Sequence, residues 1–402
     1  MPVQPSVPFD RLHPPGTVLA PRSSLDRARW LRMPSWRLDS LTGTAISCLG
    51  SMPLICHAGV ATSEILDFLE TAGLERPRTL RRYRTESEAV ALAHECVAGG
   101  ARLAYFYPPL PGADAPEMLL LSIESYGFFN NKARLGEFVP SEHVPPRRFV
   151  DAAGIAGLRD HPPPHAVFLK AAVEGANGAG KDLRYCPDAP SWRDAIAWLL
   201  TEQEHLMGLI VEDAVPVAST WCLSFGVLPE RALYLGAAEQ IFSEVGVQEG
   251  SRIDPSNPPP PEVEAVSRSV AENARTRGYL GLCGFDVGVD SAGRILVFDL
   301  NFRMNSSTPQ VLMHAAAAAR TGNPVSQSFG SVLGGPLEKT LARLRPYVEA
   351  GRLLPLRIFD GSLSDGGNAP SFISGLVLAE DAARAAAVER EVSDLLADGV
   401  AG

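Results

Sequence analysis

The chain has 402 residues, 46 acidic against 36 basic side chains and a net charge of −10, with 46% hydrophobic and 20% charged residues. That leaves room for two or three globular domains with real cores. The acidic balance argues against nucleic acid as the main partner, because phosphate backbones require a basic face. No apolar run approaches the ~18 residues of a spanning helix, so no membrane partner is expected.

The first residues, MPVQPSVPFDRLHPPG, lack the apolar core of a signal peptide. Six scattered cysteines (Cys48, Cys56, Cys96, Cys186, Cys222 and Cys283) show no CxxC spacing. Together these features imply a cytoplasmic protein with reduced cysteines used as small core fillers, without a zinc site or a disulfide framework.

Residues 1–45, rich in Pro and Arg, read as an extended or partly ordered arm packed on the first domain. Val60–Gly73 carries helical periodicity through Ile65, Leu66, Phe68 and Leu69. A second helix is expected over Glu86–Ala98, stopped by Gly99-Gly100, and a strand over Arg102–Tyr107. His57 reads as a hydrogen-bonded structural histidine. Residues 46–125 therefore look like a small α/β unit.

FFNNKARL at Phe128–Leu135 opens a new segment as a short helix. Lys132 at a helix start is electrostatically unfavourable, and a nearby anion such as phosphate would relieve it. A solvated surface lysine explains it equally well. HAVFLKA at His165–Ala171 is a strand with Lys170 near its end, followed by the Gly-rich run Glu174, Gly175, Asn177, Gly178 and Gly180. Free backbone N–H groups in such a loop can fold over phosphates. It is not a P-loop, because the spacing is wrong and no Ser or Thr follows Lys181.

Asp194–Met207 reads as a helix and Gly208–Glu212 as a strand, left through Asp213-Ala-Val-Pro216. Thr220–Val227 and Leu233–Ala237 read as antiparallel strands. Glu239–Pro261, with four consecutive prolines, reads as a long functional or disordered loop flanked by Glu239, Gln240 and Arg252. A helix follows over Glu262–Arg277.

The most informative stretch is GLCGFDVGVDSAGRILVFDLNFRMNSS, Gly281–Ser307. Gly281–Val289 and Arg294–Asn301 form a hairpin around the turn Asp290–Gly293. If Asp290 pairs with Gly293, Phe285 faces Phe298 and Val287 faces Leu296. Asp286, Val297, Asp299 and Asn301 then share the other face, with Asp286 diagonal to Asp299 at roughly 5–8 Å. Two carboxylates and an amide are an oxygen-donor set that suits Mg²⁺. An ordinary solvated hairpin face would carry the same residues. Beyond it lie an Ala-rich helix at Gln310–Ala319 and helices at Pro336–Ala350 and Glu380–Leu396. Strand-like stretches fall at Leu353–Phe359 and Ser371–Leu378.

Taken in order, strand–Lys–Gly loop, strand–Glu and then G-x-D…D-x-N-x-R resemble the ATP-grasp superfamily of carboxylate–amine ligases. FNNKARL, the Gly loop and the tail RLLPLRIFDGS…GLVLAED are similar to bacterial peptide ligases of the pheganomycin type. The resemblance implies a mixed α/β (α+β) ATP-grasp fold in three parts. These are an N-terminal preATP-grasp domain at 1–127, an ATP-grasp domain at 128–335 (nucleotide-binding part 128–215, metal-binding part 216–335) and a small α+β extension at 336–402. It places Lys132 and Lys170 on the nucleotide phosphates under the Gly-rich lid. It places Glu212, Asp213 and the Ala214 N–H at the adenine and Ser219 at the ribose, where the family usually has an acid. Asp286, Asp299 (often Glu in the family) and Asn301 become Mg²⁺ ligands, with Mn²⁺ as a substitute. Arg303, with Lys170, becomes catalytic.

The implied reaction, in bacterial specialised metabolism, makes an acyl phosphate from ATP and a carboxylate, then an amide, releasing ADP. Its substrates would be amino acids or peptides. A carrier-protein thiol as acceptor, a kinase-like reaction and a non-catalytic ATP-binding protein are the alternatives, and a homodimer is the default assembly.

Overall fold

The computed structural model describes residues 2–175, 178, 180–364 and 366–397. The first sheet is parallel: β1 (Thr17–Leu19), β2 (Leu54–His57), β3 (Leu80–Tyr83) and β4 (Arg102–Ala104), in the order β3-β2-β1-β4. Its helices are α1 (Ser35–Leu41), α2 (Ser63–Thr71) and α3 (Glu86–Ala98). Thr62 and Thr85 cap α2 and α3 by accepting from Ile65 and Glu88 N–H. The N-terminal segment is therefore not an arm. Its strand β1 sits inside the sheet, three residues long and close to prolines, too short for any period to show. His57 ends β2 as a buried structural histidine, its Nδ1 accepting from Gly59 N–H at 3.0 Å.

After α4 (Ile123–Asn130) and α5 (Leu135–Phe138) comes a small antiparallel sheet. It comprises β5 (Arg147–Asp151), β6 (Val167–Ala172), β7 (Leu183–Cys186) and β8 (Gly208–Asp213), in the order β5-β8-β6-β7. α6 (Ala189–Thr201) covers it, with Trp192, Ile196 and Leu199 in the core of this layer.

The third sheet has eight strands, all antiparallel: β9 (Val217–Val227), β10 (Ala232–Glu244), β11 (Val247–Ile253), β12 (Gly281–Asp290), β13 (Ile295–Asn301), β14 (Val325–Val332), β15 (Leu353–Phe359) and β16 (Phe372–Ala379). Their order is β13-β12-β9-β10-β11-β14-β16-β15. The helices here are α7 (Pro261–Thr276), α8 (Thr308–Thr321), α9 (Leu337–Glu349) and α10 (Ala382–Ala397). The segment read as a long polar loop is mostly the hairpin β10–β11. Its polar residues sit in a hydrogen-bonded ladder, so composition misleads there. The proline run does mark a boundary, since Pro261 is the first residue of α7. At the hairpin tip Gly246 has φ +79, and a Cβ there would lie 3.0 Å from Phe168 of β6 and 3.1 Å from Leu183 of β7. Only glycine lets the tip lean on the small sheet.

The segment expected as a C-terminal extension completes the large sheet, because β14 bonds to β11 on one side and β16 on the other. It also shares one core with the N-terminal domain. Leu66, Phe68, Leu312, Leu341, Phe359, Leu376 and Val392 belong to a single buried cluster. A chain ending at Gly335 would expose that cluster, at about 25 cal/mol per Å² of apolar surface. Such a truncation is expected to be insoluble or to lose its cooperative thermal transition in circular dichroism. A soluble, cooperatively melting fragment would contradict the shared core.

Candidate active site

Lys132 lies in the one-turn 3₁₀ helix Lys132–Arg134, capped by Asn131, whose Oδ1 accepts from Ala133 N–H at 3.0 Å. The preceding residue fixes this segment to the hairpin. Asn130 Oδ1 accepts from Phe302 N–H at 3.0 Å, and its Nδ2 donates to Phe302 O at 3.4 Å. Phe302 also packs against Phe129, Phe138, Tyr279 and Phe285 with ring centroids 5.0–5.4 Å apart. The motif FNNK and the motif D-x-N-x-R are thus tied together although 172 residues separate Asn130 from Phe302.

The hairpin β12–β13 carries a correction. Asp286 is the direct partner of Asp299, Val287 pairs with Val297, and Phe298 is bulged out between them. The simple register, with Phe285 opposite Phe298, fails because the extra residue shifts the strand. The three candidate ligands still share one face, since Asn301 pairs with Gly284 two residues from Asp286.

Both lysines are buried and paired. Lys132 Nζ donates to Asp299 Oδ2 at 2.8 Å and lies 3.4 Å from Asp182 Oδ2. Lys170 Nζ donates to Glu212 Oε1 at 2.6 Å and to the bulged Phe298 carbonyl at 2.9 Å. Arg147 Nε stands 3.6 Å from Glu212 Oε2. Burial favours neutral lysine in both cases. For Lys132 the carboxylates of Asp182 and Asp299 win, and its pKa is raised. For Lys170 burial wins over Glu212, and its pKa is lowered.

The paired aspartates differ in the same way. Burial, then the charge of Asp299, push Asp286 up to about 6, against hydrogen bonds from Cys222 and Gln240. Burial opposes the charge of Asp299 too, but Lys132 and Lys170 hold it below the usual range. Asp286 is thus a half-buried carboxylate beside a second carboxylate, with no cation in salt-bridge contact among the described residues and Lys132 acting on it from further off. Such a donor pair fits a divalent cation. Asn301 is less free, since its Oδ1 accepts from Arg303 Nη2 at 2.6 Å. Among the described residues no cluster of three or more His, Cys, Asp or Glu could hold a metal, so the set is two acids and an amide.

Arg303 is buried with its guanidinium 4.9 Å over the Tyr107 ring. It also meets the Gly-rich loop. Gly178, at φ +128, would place a Cβ 2.6 Å from Arg303 Nη2. Of the other loop residues, Glu174 is exposed and packs near Gly127, Gly175 lies close to the Arg27 carbonyl, and Gly180 lies beside the Gly246 carbonyl. Asn177 lies outside the described residues.

Three expected nucleotide contacts look different in place. The Ala214 N–H already donates to Ala166 O at 3.0 Å, so it is not offered to a ring. Asp213 accepts from His165 Nε2 at 2.8 Å, with His165 as the donor, near the surface. Ser219 shares the face of Trp221 and Leu223, which packs on α7, and not the face of Cys222 and Asp286.

Sequence reasoning missed Asp182, Arg147, Asn130 and Cys222. A lone acid heading a strand directly behind the Gly loop was the available signal for Asp182. Of the residues flanking the supposed loop, Gln240 reaches Asp286, while Glu239 and Arg252 form a cross-strand ion pair at 2.7 Å.

Residues 9–122 match the family model of the L-aspartate–L-methionine ligase N-terminal domain, and residues 145–301 match that of the L-aspartate–L-methionine ligase ATP-grasp domain. Among solved structures, the Staphylococcus aureus N5-carboxyaminoimidazole synthetase complexed with ADP superimposes with a TM-score of 0.55 at 10% identity, covering 96% of this chain and 99% of that one. Biotin carboxylase from Campylobacter jejuni gives 0.55 at 12% identity, covering 96% and 92%. The L-amino acid ligase from Bacillus licheniformis gives 0.53 at 11%, covering 94% and 96%. These structural likenesses establish the fold, and the two family models together span well over half of the chain. The chain belongs to the L-aspartate–L-methionine ligase family of ATP-grasp enzymes, ATP-dependent ligases that join a carboxylate to an amine.

Proposed function

We propose that the protein activates the carboxylate of one amino acid as an acyl phosphate and joins it to the amino group of a second, releasing ADP and phosphate. The observation that carries this reading is the meeting of Asp286, Asp299, Lys132, Lys170 and Arg303 between the two antiparallel sheets. The family's own description names L-aspartate and L-methionine, which makes them the first pair to try.

Lys132 and Lys170 would turn from their carboxylates to the triphosphate, and the Gly-rich loop would close over it with its backbone N–H groups. Glu212 keeps Lys170 in place from the neighbouring strand. Asp286, Asp299 and Asn301 would hold Mg²⁺, or Mn²⁺, which neutralises phosphate charge when bound. A substrate carboxylate oxygen attacks the γ-phosphorus, and the bond to ADP breaks. The amine then attacks the acyl carbon, the C–O bond to phosphate breaks, and the amine loses a proton. Arg303, beside the loop and Asn301, would stabilise the oxyanion formed in that attack. A closed loop would keep water from the acyl phosphate.

With Mg-ATP, L-aspartate and L-methionine, chromatography is expected to show ADP and a dipeptide in equal amounts. AMP with pyrophosphate would overturn the mechanism, and a phosphorylated amino acid without a dipeptide would favour a kinase. Arg303→Ala is expected to lower kcat by about 10²–10³ while ATP affinity in calorimetry changes less than about threefold.

Asp286 gives a two-sided test. Its folded pKa of about 6 lies above the ordinary 3.8, so the folded protein holds this proton more tightly than the unfolded chain. The group therefore favours the fold at acid pH and works against it as pH rises through about 6. Asp286→Asn is expected to abolish turnover yet stabilise the metal-free protein at pH 7.5 by about 1–3 kcal/mol. A lower metal-free melting temperature, or retained turnover, would refute the assignment.

A further inference from the structure

Asp182 is the buried acid of the site that the reaction above does not use. It stands directly behind the Gly-rich loop, at the head of β7. Its carbonyl accepts from Ala171 N–H at 2.9 Å, which locks it to β6, the strand that carries Lys170. Its side chain is 1% exposed, and its Oδ2 lies 3.4 Å from Lys132 Nζ. Neither carboxylate oxygen accepts a well-aligned hydrogen bond among the described residues. A buried carboxylate costs several kcal/mol without a counter-charge, and here the counter-charge is Lys132. Yet Lys132 already donates to Asp299 at 2.8 Å. One ammonium thus stands between two acids, and one of those acids is a candidate cation ligand.

We propose that Asp182 is a positioning residue for Lys132: it holds the lysine in the cleft when Asp299 turns to a divalent cation. The inference rests on the ligase reading above. An acid beside bound phosphates would repel them, unless its charge is spent on a lysine. Asp182 spends it so, and Lys132 is the cation within 4 Å of its carboxylate, with Arg184 of β7 acting on it from further off. Without Asp182, Asp299 is the acid left beside Lys132 among the described residues, and the lysine then competes with the cation for that carboxylate. The consequence is specific. Asp182 governs how readily the cation enters, and it does not itself attract the nucleotide.

The test is calorimetric ATP binding by the full chain, first in EDTA and then across a Mg²⁺ series. Asp182→Asn is expected to leave metal-free ATP affinity within about twofold of wild type, or to tighten it. The Mg²⁺ concentration that gives half of the metal-dependent gain is expected to rise about tenfold, the low end of the scale for one close charge pair. Asp182→Glu is expected to recover most of that loss. The double variant Lys132→Met with Asp182→Asn removes this lysine–acid pair as a unit, and it is expected to match Lys132→Met alone in Mg²⁺ dependence. Loss of metal-free and Mg²⁺-dependent affinity together would show a merely structural acid and overturn the proposal. So would an unchanged Mg²⁺ dependence. Wild-type protein that fails to bind ATP at all would remove the nucleotide reading itself, and the proposal with it.

Discussion

Two lysine side chains are kept out of water between two β-sheets, and each is faced by a carboxylate on another segment. Lys170 on β6 meets Glu212 on β8, and Lys132 meets Asp299 on β13 and Asp182 before β7. Removing an ammonium from water costs several kcal/mol, so each strand must stay in register. The bulge at Phe298 serves both lysines. It brings Asp299 opposite Asp286, within reach of Lys132, and it frees a carbonyl for Lys170. Without substrates, the site is a set of cations and acids that neutralise one another. Binding of an anionic nucleotide would exchange these partners, as expected of a site that must open and close.

The scaffold reaches this arrangement through contacts distant in sequence. Asn130 holds the end of β13, so Lys132 cannot drift from the hairpin. The aromatic cluster around Phe302 stiffens that joint, and α7 backs it through Val263 and Val270. On the far side, the beginning and end of the chain share one core, which makes the last two strands structural partners of the first domain. The tip of β10–β11 leans on the small sheet at Gly246, beside Gly180 of the loop.

Elements with strong periodicity were legible from sequence. α3 over Glu86–Ala98 matches its expected span, α7 is shifted by one residue at each end, and β8 runs one residue further than expected. What escaped had physical causes. β1 is three residues long and sits centrally in its sheet, so neither length nor alternation marks it. The polar strands of β10–β11 have solvent-like composition but ladder hydrogen bonds. At the site, Asp286, Asp299 and Asn301 do share a face, but the Phe298 bulge sets Val297 opposite Val287 and so off that face, which simple alternation does not foresee. The ribose role of Ser219 came from the family resemblance, and its pairing opposite Val289 puts its side chain on the face of Trp221 and Leu223. Asp182 and Arg147 act through partners far along the chain, and no local pattern announces them.

The central claim is that the substrate carboxylate passes through an acyl phosphate. Transfer of label from an amino acid carrying ¹⁸O in its reacting carboxylate tests this most directly. One labelled oxygen is expected in the inorganic phosphate for each amide formed, because the C–O bond breaks when the amine attacks. Label appearing in AMP, or phosphate free of label while amide accumulates, would contradict it.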